Sequence, residues 1–487
     1  MADNKVLVVV FDGLRPDMVT AELMPNLRRF ADQHSVFPRS RAVFPTETRV
    51  NAAALVTGQR PDMHGLVANA FHAAEVFADH AINTSKMEHL VAADRAWNGA
   101  LLTAPSLGER LHAQGKTLAT VSTASTGSSW LLNHRAEQLG LLRWSSHGSA
   151  YSAPSLDSWR ELADRFGEPP PAAIPLSARV EHAKRVYLEH VWPVIDPDVA
   201  ILWFAEPDTT YHYRGIGSPE TLVALKTVDA AFGEIVAAWK AAPDHDRRSI
   251  ITLSDHGHVT THERIGVVDR FTAVGFRADA RAVGDSDLAV VSGSPSLITL
   301  RRRDAGLARD LVAFLREQPW CGLIFASGGD GTHGPIDGTL DRALLGVTHP
   351  RSADLVFTLA TDDEPGSGGW PGRTHHDHDI PEGGSMHGGL HPRELNNWLA
   401  AGGAAFREGY TSPCPAGITD VAPTILDLLG LPQGGCHGRV LAEALRDGLP
   451  PRYDSRAIET RAGGYAQRLS LSHAGSTAYI DGGTVLR

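Results

Sequence analysis

Val6-Leu7-Val8-Val9-Val10-Phe11-Asp12-Gly13 decides the fold class of this 487-residue chain. Six apolar, mostly β-branched residues in a row, with no polar alternation, predict a strand buried on both faces, as in a parallel sheet covered by helices. The run stops at Asp12-Gly13. The same form recurs twice: Val199-Ala200-Ile201-Leu202-Trp203-Phe204 leads into Glu206-Pro207-Asp208, and Ile250-Ile251-Thr252-Leu253 leads into Ser254-Asp255-His256-Gly257. Helices are predicted between them. Pro25 opens one that carries Leu27 and Phe30 on one side. A second has Ser218 as N-cap, Pro219 first and Glu220 in its first turn, followed by Leu222, Leu225, Val228, Phe232, Ile235 and Trp239 at three-to-four spacing. Further strands are predicted at Leu118-Ala119-Thr120-Val121-Ser122 and at Asp354 to Leu359. Shorter helices are expected around Leu107 to Leu111 and from Thr419 to the stop at Gly430. Strands alternating with amphipathic helices predict an α/β fold with a largely parallel central sheet.

In such sheets the functional crevice lies outside the carboxyl ends of the strands. Asp12, Asp208 and Asp255 are therefore predicted to converge on one edge. His256 follows Asp255, His212 lies four residues after Asp208, and His387 sits in Ser385-Met386-His387-Gly388-Gly389, a loop able to reach the same edge. Three carboxylates in one crevice repel unless cations neutralise them. Three Asp, three His and a threonine oxygen are enough for two divalent ions about 4 Å apart. Zinc fits these N/O donors best, with manganese or iron as alternatives. Taken singly, an Asp at a strand end is as readily a turn residue, and a lone His a core residue; the joint pattern is what points to metal.

Phe44-Pro45-Thr46-Glu47-Thr48-Arg49-Val50-Asn51, running into Ala52 to Gly58, reads as a loop entering a helix. Thr48 falls near the helix N-terminus, where free N–H groups and the dipole favour an anion, with Asn51 on the same face. A hydroxyl in that setting is either an N-cap or a nucleophile for a phosphorus or sulfur ester.

Composition narrows the rest. Hydrophobic residues make up 42% and charged residues 21%, enough for a sizeable core, and the net charge of −11 with no basic run argues against wrapping nucleic acid. Cys321, Cys414 and Cys436 form no CxxC pair and no disulfide framework, which suggests a reducing compartment. Met1 to Lys5 lacks a basic signal region, and no stretch approaches the roughly 20 apolar residues of a membrane span, so a cytoplasmic protein without membrane partners is expected. Oligomeric state is not legible. Residues 1–445 read as one catalytic domain, in which about 70–195 is part core and part insertion shaping a substrate pocket, and residues 446–487 as a tail without an assigned role. Arg373-Thr374-His375-His376-Asp377-His378-Asp379 reads as a polar loop, with an extra ion or a gate as the other readings.

Taken in order, Asp12-Gly13-Leu14-Arg15-Pro16-Asp17, Pro45-Thr46-Glu47-Thr48 with Asn51, Thr57-Gly58 with Pro61 and His64-Gly65, Glu206-Pro207-Asp208 with His212, Ser254-Asp255-His256-Gly257 and His387-Gly388-Gly389 resemble the alkaline phosphatase superfamily. Within it they are most similar to the type I phosphodiesterase/nucleotide pyrophosphatase branch, from Asp12 to about Leu431. The resemblance implies a three-layer sandwich with an inserted cap and two zinc sites. Asp208, His212 and His387 would form one site; Asp12, Asp255, His256 and the Thr48 oxygen would form the other. It implies Thr48 as nucleophile and a phospho-threonine intermediate, with Asn51 and the N–H of the residue after Thr48 holding a phosphoryl oxygen. The expected substrate is a small phosphate ester or nucleotide. A phosphomonoesterase or phosphonate hydrolase is the alternative; the sulfatase signature Cys/Ser-x-Pro-x-Arg is missing, and no nucleophile or ligand is lost, as a silent binding protein would require.

One departure stands beside the nucleophile. A position that is commonly aromatic in nucleotide-cleaving members, able to stack on a base, is Arg49 here, and Val50 replaces a common proline. Arg49 either turns to solvent or pairs with a second phosphoryl oxygen or an anionic arm of the substrate.

Overall fold

The computed structural model describes residues 4–153, 156–281, 286–302 and 304–486. Its centre is an eight-stranded sheet in the order Tyr410–Thr411, Ser35–Val36, Leu399–Gly403, Arg248–Leu253, Lys5–Phe11, Val199–Phe204, Leu118–Ser122, Leu142–Ser145. The last five of these run parallel. Leu399–Gly403 is antiparallel to Arg248–Leu253. Lys5–Phe11 lies between the other two Asp-terminated strands, with Phe11 opposite Phe204 and Val10 opposite Leu253. That register delivers Asp12, Asp208 and Asp255 to one edge.

The two-residue period of the strand divides its side chains between two layers. Leu7, Val9 and Phe11 pack with Leu27, Phe30, Phe232 and Trp239 from the helices Pro25–Gln33 and Pro219–Ala241. Val6, Val8 and Val10 pack with Leu55, Val56, Ile425 and Leu426 from Thr48–Thr57 and Val421–Leu428. Phe232 meets both Phe11 and Phe30 edge-on, at centroid distances of 5.8 and 5.4 Å. Truncating such a ring costs about 3–5 kcal/mol. Helix, sheet and helix thus form the three layers expected.

Several expectations change. Segment 70–195 contributes largely to the core: Leu118–Ser122 and Leu142–Ser145 extend the main sheet, and Trp144 and Val180 join one face of the core while Leu107 and Leu111 join the other. A second sheet lies later. Residues 265–359 build a second, six-stranded sheet with its own core of Phe271, Ile298, Leu311, Ile324 and Phe357. The apolar run after Asp354 belongs there, as Leu355–Leu359, between antiparallel neighbours. Burial on both faces also occurs in a covered antiparallel sheet, so an apolar run does not report strand direction. The segment after 445 is a three-stranded meander, Tyr453–Ala462, Tyr465–Ala474 and Thr477–Val485. Gln467 hydrogen-bonds both the N–H and the C=O of Ile324, and Tyr479 donates to buried Asp420 at 2.8 Å, so the meander ties the second sheet to the start of the helix Val421–Leu428.

A small four-stranded sheet links the units: Thr361–Pro365, Pro371–His376, Val259–Arg264 and Ser385–Met386. Arg373 to His376 is therefore a strand rather than a loop. Arg373 pairs with Asp362 through two 2.9 Å bonds, and Asp377 accepts the N–H groups of Gly266 and Val267 at the start of the helix Val267–Ala273.

Candidate active site

Thr48 is the first residue of the helix Thr48–Thr57, preceded by Glu47 at the N-cap position without a side-chain cap. Its hydroxyl is buried and lies 3.1 Å from His256 Nε2. The entry loop is bolted to the loop that carries His387: Thr46 Oγ1 donates to Gly389 O and accepts from Gly388 N, and Thr46 O meets His387 Nδ1 at 2.7 Å.

Two groups of ligand atoms flank Thr48. Asp12, Asp255 and His256 form one. Asp208, His212, His258 and His387 form the other. Within each group these atoms lie within 4.8 Å of one another. All seven residues predicted for the metal centre fall at this edge, and His258 joins them although the sequence reading passed over it. Its signal was the alternation Asp255-His256-Gly257-His258, which places two imidazoles two residues apart. Val259 pairs with Met386, so the residues before and after that pair, His258 and His387, lie side by side with ring centroids 4.9 Å apart.

The orientations are those of ligands. His387 Nδ1 meets a backbone carbonyl, as do His212 Nδ1 (Ser385 O, 2.8 Å) and His256 Nδ1 (Gly257 O, 3.1 Å); His258 Nδ1 meets Ser385 Oγ at 3.0 Å. Each Nε2 faces the acids: His258 to Asp208 at 2.8 Å, His212 to Asp208 at 3.3 Å, His387 to Asp208 at 3.6 Å and His256 to Asp255 at 3.2 Å. A histidine held at one nitrogen presents the other to an ion in a fixed tautomer. The carboxylates follow the same logic. Asp12 Oδ2 accepts from Trp203 Nε1, and Asp255 Oδ1 accepts from Gly13 and His256 N–H, while Asp12 Oδ1 and Asp255 Oδ2 are buried with no hydrogen-bond partner. Orphaned buried carboxylate oxygens are costly unless a cation occupies the space between them. The donor set therefore fits one or more divalent cations.

Electrostatics agree. Burial, then Asp255 and Asp208, pushes the Asp12 carboxyl well above its usual range. Burial also raises Asp208, but His212 and His258 outweigh it and hold that carboxyl well below its usual range. Burial lowers His258 to about 3, so its imidazole is neutral and free to ligate at neutral pH. Gly13 permits this crowding: with φ +71°, it stands where a Cβ would come within 2.7 Å of His258 Nε2.

Residues 6–311 match the family model of type I phosphodiesterase / nucleotide pyrophosphatase. The chain belongs to this family. It is similar to a venom phosphodiesterase of Macrovipera lebetinus (25% identical over 257 residues, 52% of this chain and 25% of the relative) and to human ectonucleotide pyrophosphatase/phosphodiesterase family member 7 (26% identical over 275 residues, 55% and 51%). A bis(5′-adenosyl)-triphosphatase of Xenopus laevis is 26% identical over 259 residues, 52% of this chain and 47% of that protein. The matches thus span from a quarter to about half of these relatives. In fold, the chain resembles murine ectonucleotide pyrophosphatase/phosphodiesterase 5, solved as an inactive variant with AMP, at a TM-score of 0.61 and 18% identity over 91% of this chain and all of that one.

Within this type I phosphodiesterase-family site, two donors differ from expectation. Asn51 turns to the preceding loop: its Nδ2 faces the carbonyls of Val43, Pro45 and Glu47 at 3.1–3.3 Å, and its Oδ1 accepts from Val43 N at 2.8 Å. Its amide satisfies four backbone groups of a tight loop entry, which leaves no donor for a phosphoryl oxygen. The Arg49 N–H donates to Asn69 Oδ1 at 3.2 Å. Away from the centre, exposed His262 and Glu263 and half-buried His375 bring ligand atoms together on the linking sheet. Among the described residues, no helix is long and apolar enough to cross a membrane.

Proposed function

We propose that the chain hydrolyses a phosphodiester or pyrophosphate bond of a small phosphate ester or nucleotide by transferring the phosphoryl group to Thr48. The observation that carries this reading is a buried Thr48 hydroxyl flanked by two groups of inward-facing Nε2 atoms and orphaned carboxylate oxygens. Asp208, His212 and His387, with His258 beside them, would hold one divalent cation; Asp12, Asp255, His256 and the Thr48 oxygen would hold a second. Zinc suits the donors best. Such ions, when bound, lower the proton affinity of a nucleophilic hydroxyl and neutralise a leaving oxygen.

The chain's own residues supply the rest. Thr48 Oγ1 forms a bond to phosphorus as the opposite P–O bond breaks; the hydroxyl proton is lost and the departing oxygen gains one. Water then cleaves the phospho-Thr48 ester and restores the hydroxyl. Asn51 acts as a positioning residue, fixing the 43–47 loop and hence the direction of Thr48. The names of the venom, human and frog relatives, and the AMP in the murine structure, support a phosphodiester or nucleotide substrate. The test is turnover of bis-p-nitrophenyl phosphate and of ATP by zinc-loaded protein. Both activities are expected to disappear in Thr48→Ala and on chelation; activity that survives Thr48→Ala overturns the reading.

A further inference from the structure

Arg49 is pinned at its backbone and unpaired at its head. Its N–H is bonded to Asn69, whereas its Nε is buried without any hydrogen-bond partner. Among the described residues, its guanidinium forms no ion pair within 4.0 Å, even though Glu47 lies two residues away and three active-site aspartates share the crevice. The side chain is partly exposed: Nε is cut off from solvent, whereas the two terminal nitrogens are not among the buried unpartnered atoms and stay accessible to a ligand. Its head is within electrostatic reach of the centre: Glu47, Asp12, Asp208 and Asp255 are the charges that act on it, and it acts in turn on Asp12. A guanidinium offers five donors in a planar fork matched to phosphate or carboxylate oxygens, and leaving that fork half-buried and empty is costly. Meanwhile the two neutral donors expected to receive a phosphoryl oxygen, the Asn51 amide and the Arg49 N–H, are both bonded within the protein.

We propose that the Arg49 guanidinium is an anion subsite beside Thr48, and that the substrate places there a second negative group beyond the single charge of a simple phosphodiester link. This rests on the Thr48 reading above and adds the substrate's charge. Two sources share the required chemistry: the extra oxygen of a phosphate monoester, or the neighbouring phosphate of a pyrophosphate chain.

The experiment compares zinc-loaded wild type, Arg49→Met, Arg49→Lys and Thr48→Ala on three probes. Bis-p-nitrophenyl phosphate carries one charge, p-nitrophenyl phosphate adds charge at the scissile group, and ATP adds it on adjacent phosphates. Arg49→Met is expected to lower the kcat/KM ratio of at least one of the two more highly charged probes to bis-p-nitrophenyl phosphate by tenfold or more, with Arg49→Lys recovering part of it. A fall confined to p-nitrophenyl phosphate assigns the monoester oxygen, and one confined to ATP assigns the adjacent phosphate. As a readout independent of turnover, inorganic phosphate should protect wild type from thermal unfolding more than it protects Arg49→Met. Equal loss on all three probes, with equal protection by phosphate, overturns the subsite while Thr48-dependent turnover leaves the proposed function standing. Absence of Thr48-dependent turnover on every probe overturns both.

Discussion

The two ligand groups are built differently, although they share one crevice. Asp12, Asp255 and His256 are buried outright, at the ends of adjacent strands whose spacing is set by the sheet's own hydrogen-bond ladder. Asp208, His212, His258 and His387 come from a helix start, the entry to the small four-stranded linking sheet and a glycine-flanked loop, and two of the four are partly exposed. The first group is as rigid as the central sheet. The second depends on clasps: Ser385 O and Oγ for His212 and His258, Thr46 O for His387, and Glu206, which accepts from Thr210 N and Oγ1 just behind Asp208. The sheet fixes one group, and loops and hydrogen bonds tune the other.

Breaking the rigid group should have the largest effect. Asp255→Ala is expected to lower kcat/KM by about 10³-fold or more and to remove one ion per chain by elemental analysis. A normal ion count in that variant contradicts the assignment. The clasp behind the adjustable group should respond to pH. Burial raises the Glu206 carboxyl from 4.5 to about 7, so the fold holds a proton that the unfolded chain releases between those values. Its contribution is therefore greatest below about pH 4.5 and falls as pH rises to about 7, by up to about 3 kcal/mol. Urea unfolding of metal-free protein at pH 5 and pH 8 should show a steeper decline for wild type than for Glu206→Gln; parallel slopes would remove Glu206 from the account.

A smaller effect separates the groups directly. His258→Ala should weaken one zinc site about 10–100-fold in a chelator competition and leave the other unchanged. Equal weakening of both would erase the distinction drawn here. Smallest is Tyr479→Phe, which removes the meander's bond to Asp420 far from either group. It should cost about 1 kcal/mol in urea unfolding and leave kcat/KM unchanged.

The rigid group was legible because its signals are local: an apolar run, then Asp12 or Asp255, at the end of a strand. In the adjustable group, Asp208 and His212 were legible four apart on the helix Asp208–Arg214, and His387 through the glycine-rich loop that carries it. His258 escaped because the alternation Asp255-His256-Gly257-His258 is a weak local signal, and what places it in the group is the pairing of Val259 with Met386, 127 residues away in sequence. The direction of the Asn51 amide escaped for a related reason: helical spacing gives the face of a residue but not the competition among acceptors around it. The sheet of residues 265–359 was legible only through the run Leu355–Leu359, because an apolar run does not report strand direction or partner, and the meander was hidden because its antiparallel strands of mixed polarity pack against partners distant in sequence.

The central claim is that Thr48 accepts the phosphoryl group between these two ligand groups. Zinc-loaded protein mixed with bis-p-nitrophenyl phosphate, quenched in acid during turnover and digested, tests it by mass spectrometry. A covalent p-nitrophenyl-phosphoryl adduct on Thr48 in wild type, absent from Thr48→Ala along with turnover, is the expected result. Steady turnover with Thr48 unmodified, and retained in Thr48→Ala, would contradict the account.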